Sequence, residues 1–110
     1  MTKREQYGLS FINLVTSDNT IKKNCRKDIV DQFSEIQLIT RFDIEQSKSL
    51  IDHIGKAVSN ENFDPIYSSD FIDDNSIEID PPFVIINDIL HIKIEDLKEL
   101  FNEWIMFLKE

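Results

Sequence analysis

The chain has 110 residues, 41% of them hydrophobic, so it is long and apolar enough to form one domain, residues 1–110, and wholesale disorder is excluded. Lys and Arg number 12 against 21 Asp and Glu, and a chain with a net charge of −9 is repelled by nucleic-acid phosphates. One cysteine excludes an internal disulfide, and no apolar run is long enough to cross a membrane, so we expect a cytoplasmic protein with no direct nucleic-acid or membrane partner.

The N-terminal third is predicted to be helical. Thr2 and Glu5 have the spacing of a capping box, and apolar residues at positions 7, 11, 14 and 15 follow at helical spacing, which a strand fits less well. After a break at residues 16–20, the pattern of a second amphipathic helix is formed by Ile21, Cys25, Ile29, Val30 and Phe33. Cys25 lies on this apolar stripe and is predicted to be a buried structural thiol.

Residues 35–42 predict the first strand, with Ile36, Leu38, Thr40 and Phe42 on one face. Asp43 is then predicted to cap a helix that runs through about Val58. His53 lies off the apolar stripe of that helix, so we expect its ring to be solvated.

The last half of the chain alternates short strands with turns. Residues 63–70 predict an edge strand interrupted near Pro65, and Ile77 and Ile79 alternate with acids as in a half-buried strand. Asn87-Asp88 predicts a hairpin turn between two apolar strands. The final helix is predicted over residues 95–108, with Trp104 on its apolar face.

These elements predict the α+β class. We expect an antiparallel sheet of about four to five strands, flanked by helices, with the N-terminal helices and the C-terminal helix packed on the sheet.

The negative charge is concentrated in residues 57–92, which contain eight acids and no Lys or Arg. Such a run is either a solvated surface that keeps the protein soluble or a face that binds a partner, and the sequence leaves both interpretations open.

Patterns for catalysis are weak. The carboxylates of the acidic run lack the EF-hand spacing, and the two histidines stand far apart, so no metal or other cofactor is expected. Asp80 with Asp96 and Lys98 loosely resembles the carboxylates and lysine of a metal-dependent nuclease, but the position of Asp96 at a helix start explains it without catalysis. We expect a protein that is not an enzyme.

An acidic patch on a sheet with aromatic residues nearby suits the binding of a basic protein, because opposite potentials steer association. Tyr67 and Phe71 are candidates for an aromatic anchor, with a place in the core as the alternative for each. The predicted contact residues are Asp64, Tyr67, Asp70, Asp73, Asp74, Glu78 and Asp80.

Several segments in order resemble a known family over roughly residues 35–108. They are Ile39-Thr40-Arg41-Phe42, Phe63…Tyr67…Asp70, Val84-Ile85-Ile86-Asn87 and Glu103-Trp104-Ile105…Leu108. This order resembles immunity proteins of bacterial contact-dependent growth inhibition systems, in particular those described as ribonuclease-toxin immunity proteins.

The resemblance implies an inhibitor that binds the C-terminal nuclease domain of a cognate toxin, an RNase or tRNase, in the cytoplasm and blocks its active site. Members of the family share no catalytic residues, and their contact residues vary with the toxin, so the resemblance identifies no site residue here. Two alternatives stay open: a small metal-dependent hydrolase that uses the same acids, and an acidic regulator of another basic protein.

Overall fold

In this computed structural model, residues 2–59, 62–72 and 74–110 are described. They form a four-stranded antiparallel sheet, a separate two-stranded sheet and three α-helices, which confirms the predicted α+β class. The strands alternate in direction throughout, and each sheet follows the order of its strands along the chain.

The N-terminal segment is a short helix followed by a β-hairpin. Helix α1 (Lys3–Gln6) begins where the Thr2 hydroxyl accepts a hydrogen bond from the Glu5 amide, as the capping box predicts, and ends before Gly8, whose φ is +70°. Strands β1 (Leu9–Val15) and β2 (Ile21–Lys27) then pair antiparallel. The two helices predicted here beyond Gln6 are wrong, because an apolar spacing of four fits one face of a strand as well as one face of a helix.

Residues 32–41 form a long 3₁₀ helix (Gln32–Arg41) where the sequence predicted a strand, so that prediction is wrong. The half-buried Phe33 and the buried Ile36 and Ile39 follow one another at intervals of three residues. This interval matches the three residues per turn of a 3₁₀ helix. Asp31 caps the helix by accepting a hydrogen bond from the Phe33 amide.

Helix α2 (Ile44–Val58) confirms the prediction for the middle of the chain. The Asp43 carboxylate accepts a hydrogen bond from the Gln46 amide at 2.7 Å, and the Gln46 side chain accepts one from the Asp43 amide at 2.9 Å. His53 on this helix is half-buried, so the expectation of a solvated ring is wrong.

The larger sheet has the order β3-β4-β5-β6. Its strands are β3 (Ile66–Tyr67), β4 (Ile77–Asp80), β5 (Phe83–Ile86) and β6 (Leu90–Lys93). Strand β3 is an edge, as Pro65 predicts, but only Ile66–Tyr67 of the predicted residues 63–70 form a strand. The predicted hairpin is confirmed, since Asn87 and Asp88 have φ values of 55° and 57° and the Ile89 amide donates to the Ile86 carbonyl at 3.0 Å.

Helix α3 (Ile94–Leu108) packs on strands β5 and β6 and against helix α2. Trp104 is fully buried, and its Nε1 donates a hydrogen bond to the Phe42 carbonyl at 2.8 Å. Cys25 is also buried, as predicted, but from a strand, and burial raises the pKa of its thiol to about 12. Within the described part of the chain, no helix has both the length and the apolar character needed to cross a bilayer.

Candidate functional site

The four-stranded sheet has one buried face and one open face. Strand register places Ile77, Ile86 and Leu90 in one row, and all three are buried against the helices. Because successive side chains of a strand point to opposite faces, their neighbours in sequence point the other way. We call this second surface the outer face; its residues are Ile66, Glu78, Asp80, Phe83, Ile85, His91 and Lys93.

The outer face combines apolar side chains with carboxylates. Glu78 lies between Ile66 and Ile85 in one cross-strand row, and Asp80 lies beside Phe83 in the next. Ile66 is 53% exposed and Phe83 is 37% exposed, so the apolar groups are accessible to a partner. Such a surface has both elements of a protein interface, apolar groups to bury and charges to orient the partner.

The carboxylates of Glu78 and Asp80 have no ion-pair partner among the described residues. Lys93 shares the row of Asp80 but is two strands away, with Phe83 between them. The two carboxylates are therefore available to pair with cations of another molecule.

The other predicted contact residues lie before and between the strands. Asp64, Asp70 and Asp74 are exposed, while Asp73 is outside the described residues. Asp70 begins a short 3₁₀ helix (Asp70–Ile72), and Asp74 lies in the loop that leads to β4. The structure thus brings Glu78 and Asp80 together on the outer face, and the exposed loop acids adjoin that strand in sequence.

Asp64 has a local structural role as well. Its carboxylate accepts a hydrogen bond from the Ile66 amide at 2.9 Å, and its carbonyl oxygen lies 2.7 Å from Nε2 of His53. These contacts hold the start of β3 against helix α2. The Asp64 side chain is exposed, but one of its carboxylate oxygens is already hydrogen-bonded to the Ile66 amide.

The predicted aromatic anchors point towards the interior. The Tyr67 ring is half-buried between the rings of Phe42 and His53, at centroid distances of 6.4 and 5.5 Å, and burial raises the pKa of its phenol. Phe71 packs edge-on against Phe42 at 4.8 Å. Tyr67 therefore offers a partner only part of its surface. Phe71 packs against the core, which was the alternative given for it.

The apolar residues of the outer face were not predicted from the sequence. Phe83 and Ile85 occupy every second position of a strand, and Glu78 and Asp80 do the same in the preceding strand. The signal that identifies them is this shared alternation across the tight turn at Pro81-Pro82. Combining the two alternations requires the register between the strands, which the sequence alone does not provide.

A hydrogen-bond network fixes the loop that carries Asp74. The Asn87 side-chain oxygen accepts from the Ser76 amide at 2.7 Å, and its Nδ2 donates to Glu35 at 2.6 Å and to Asn75 at 3.0 Å. The loop is thus tied both to the β5–β6 turn and to the long 3₁₀ helix. This network holds the segment next to Asp74 against the sheet.

Metal-ligating side chains are not clustered in the described part of the chain. Within residues 2–59, 62–72 and 74–110, no three His, Cys, Asp or Glu side chains are grouped so as to hold a metal ion. Asp96, a candidate nuclease carboxylate, instead accepts a hydrogen bond from the Tyr7 hydroxyl at 2.6 Å and pairs with Lys3 at 2.9 Å. Burial alone raises the pKa of Asp96, but these two partners outweigh it and hold that pKa below its usual value.

No family model matches the sequence, and neither a curated protein nor a solved structure matches the chain.

Proposed function

We propose that this protein binds and neutralises a basic partner protein, namely the nuclease domain of a cognate contact-dependent growth inhibition toxin in the cytoplasm. In this proposal it is an immunity protein and not an enzyme, and it needs no cofactor. It acts by covering the active site of an RNase or tRNase toxin with its acidic surface.

The observation that carries the proposal is the composition of the outer face. Exposed apolar groups at Ile66 and Phe83, with the half-buried Ile85, lie next to the carboxylates of Glu78 and Asp80, which have no ion-pair partner among the described residues. A surface that only solubilises the protein needs no exposed aromatic ring between its charges. Burial of apolar area supplies affinity, at about 25 cal/mol per Å², and the carboxylates supply orientation.

The charge of the surrounding segment defines the kind of partner. Residues 57–92 contain eight acids and no Lys or Arg, so their field attracts a basic protein and repels an acidic one. A nuclease active site is basic because it binds phosphates, and carboxylates can take the place of those phosphates in pairing with Arg and Lys. This complementarity, together with the family resemblance over residues 35–108, supports a nuclease toxin as the partner.

Of the two alternatives, a metal-dependent hydrolase requires carboxylates that converge on a metal, and Asp96 is instead engaged by Tyr7 and Lys3. We expect the purified protein to leave RNA and DNA intact with and without Mg²⁺. Metal-dependent cleavage that disappears in an Asp80→Ala variant would overturn the immunity proposal. An acidic regulator of another basic protein would use the same outer face, and only the identity of the partner separates it from the proposal.

The direct test is co-expression with the toxin domain encoded beside this gene, followed by pull-down and a growth assay. Replacing Glu78 with Gln and Asp80 with Asn removes two charges without changing side-chain size. We expect this double variant to associate more slowly, to show a weaker salt dependence of the association rate, and to protect cells poorly. A second variant, with Asn at Asp70, Asp73 and Asp74, tests the loop in the same assays.

The matched control is the pair Glu45→Gln and Asp52→Asn on the exposed side of helix α2, where two charges are also removed. This control is expected to bind and protect as the parent protein does, and circular dichroism should show that all variants are folded. If the α2 pair is at least as damaging as the outer-face pair, the binding surface lies elsewhere and the acidic segment only solubilises the protein.

A further inference from the structure

Strand β1 has a free edge whose backbone groups point away from β2. The Thr16 amide donates to the Thr20 carbonyl at 2.8 Å, and the Asp28 amide donates to the Gly8 carbonyl at 3.4 Å. In an antiparallel pair, hydrogen-bonded positions alternate along each strand. The even-numbered residues of β1 therefore bond to β2, and the N–H and C=O groups of Phe11, Asn13 and Val15 point to the opposite side.

Among the residues that the structure describes, the other strand edges are covered or short. At the far edge of β2, the Cys25 amide donates to Thr40 and the Lys27 amide donates to Gln37, both on the long 3₁₀ helix. In the larger sheet, β3 has only two residues, and the four residues of β6 include His91 and Lys93. Short strands and charged residues are the usual means by which proteins prevent an edge from pairing with another chain.

Strand β1 has none of these protections. Its seven residues include no charged residue and no proline, and the described residues provide no hydrogen-bond partner for the backbone of Phe11, Asn13 or Val15. Leu14 is 43% exposed and Val15 is 69% exposed. An uncharged, apolar edge of this length is suited to accept an additional strand.

We propose that β1 pairs antiparallel with β1 of a second copy of this chain, about a two-fold axis at Asn13. The two hairpins then form one continuous four-stranded sheet. This proposal is independent of the toxin-binding function, which uses the larger sheet.

The sequence of β1 is self-complementary in this register. Phe11 lies opposite Val15 of the second copy, Ile12 opposite Leu14, and Asn13 opposite itself. The outward-pointing backbone groups of Phe11, Asn13 and Val15 meet their equivalents and form about six hydrogen bonds. Apolar side chains face apolar ones, and the exposed Leu14 and Val15 become covered.

Charge favours a second copy as the occupant. The four cations of the hairpin all lie on β2, at Lys22, Lys23, Arg26 and Lys27. In the dimer the two β2 strands are the outer strands, separated by three strand spacings, or about 14 Å. This distance exceeds the ~8 Å over which charges act at physiological ionic strength, while the two strands that touch are uncharged. An acidic strand from another protein finds no cation on β1 with which to pair.

The test is sedimentation velocity on the full chain from about 1 μM to 1 mM, with three variants. Asn13→Lys and Asn13→Asp each place like charges opposite one another at the axis, so each should weaken dimerisation at least tenfold. Mixing the two variants places opposite charges there and should restore the dimer. Asn102→Lys, at an exposed position of α3, is the matched control and should dimerise as the parent chain does.

Amide hydrogen exchange locates the contact. Exchange of the Phe11, Asn13 and Val15 amides should slow with rising concentration in the parent chain but not in the Asn13→Lys variant. A parent chain that stays monomeric up to 1 mM overturns the proposal. The β1 edge would then be a site for a strand of another protein. Dimerisation that is unaffected by Asn13→Lys also overturns it, because the contact then lies on another surface.

Discussion

Replacing Ser47 with Ala should stabilise the protein. Ser47 lies on the buried face of helix α2 with 0% exposure, and its hydroxyl has no hydrogen-bond partner among the described residues. A hydroxyl buried without a partner costs about 1–3 kcal/mol of stability, because it loses its bonds to water and gains none in return. Removing the hydroxyl removes that cost.

Two smaller effects modify the magnitude. Alanine is the better helix former, by up to about 0.7 kcal/mol. Loss of one oxygen atom from a packed site leaves a small void, whose cost is comparable to or below the ~0.8 kcal/mol of a buried methylene. The net expectation is a free energy of unfolding higher by about 0.5–2 kcal/mol, which corresponds to a Tm higher by roughly 2–8 °C for a domain of this size.

The measurement is thermal and urea unfolding followed by circular dichroism. The control is Ser49→Ala in the same helix, where the side chain is exposed and its hydroxyl contacts Tyr67. This control carries the same change in helix propensity without the removal of a buried, unpartnered hydroxyl. A Ser47→Ala variant that is less stable than the parent, or no more stable than Ser49→Ala, would refute the reasoning.

Three further predictions concern stability. Trp104→Phe should cost about 1–3 kcal/mol in urea unfolding, because the Phe42 carbonyl loses its buried hydrogen bond; an unchanged midpoint would contradict this role. Asn87→Ala should cost about 2–3 kcal/mol and speed hydrogen exchange of the Ser76 amide, whereas Asn87→Gly, which tolerates a φ of 55°, should cost less. The pKa of Asp96 lies below its usual value of about 4, so its ionised form stabilises the fold above pH 4, and this stability is lost as the pH falls through the lowered pKa. Between pH 7 and pH 2.5, the urea midpoint should therefore fall less steeply for Asp96→Asn than for the parent.

The sequence by itself predicted helix α2, strands β4 to β6 and helix α3. Asp43 and Gln46 form a capping box that is complete within four residues, and Asn87-Asp88 adopts the positive φ values that a tight hairpin requires. The alternation of Ile77 and Ile79 with acids leaves no helical interpretation. Each of these signals acts between residues that are close in sequence, so they could be recognised without the tertiary structure.

The tertiary structure decided the fold of the first half. Ile21 and Cys25 are four residues apart, an interval that places them on one face of either a helix or a strand, and only pairing with β1 selects the strand. Residues 35–42 show the alternation of a strand, but the structure has a 3₁₀ helix there. The side chains of Gln37 and Thr40 on this helix accept hydrogen bonds from the backbone of β2. In both segments, contacts between distant residues overrode the local pattern.

The same division holds for the candidate site. The sequence alone located the acidic segment and assigned Glu78 and Asp80 to the solvent side of a strand. Only the register of β3, β4 and β5 placed these acids beside Ile66, Phe83 and Ile85, because a shift of one residue would turn the apolar side chains to the other face. Likewise, only the tertiary structure shows which edge of the hairpin is covered, because the 3₁₀ helix contacts the backbone of β2 and not that of β1. Charge is a property of each residue and is readable in the sequence, whereas a surface is a property of residues brought together by pairing and packing.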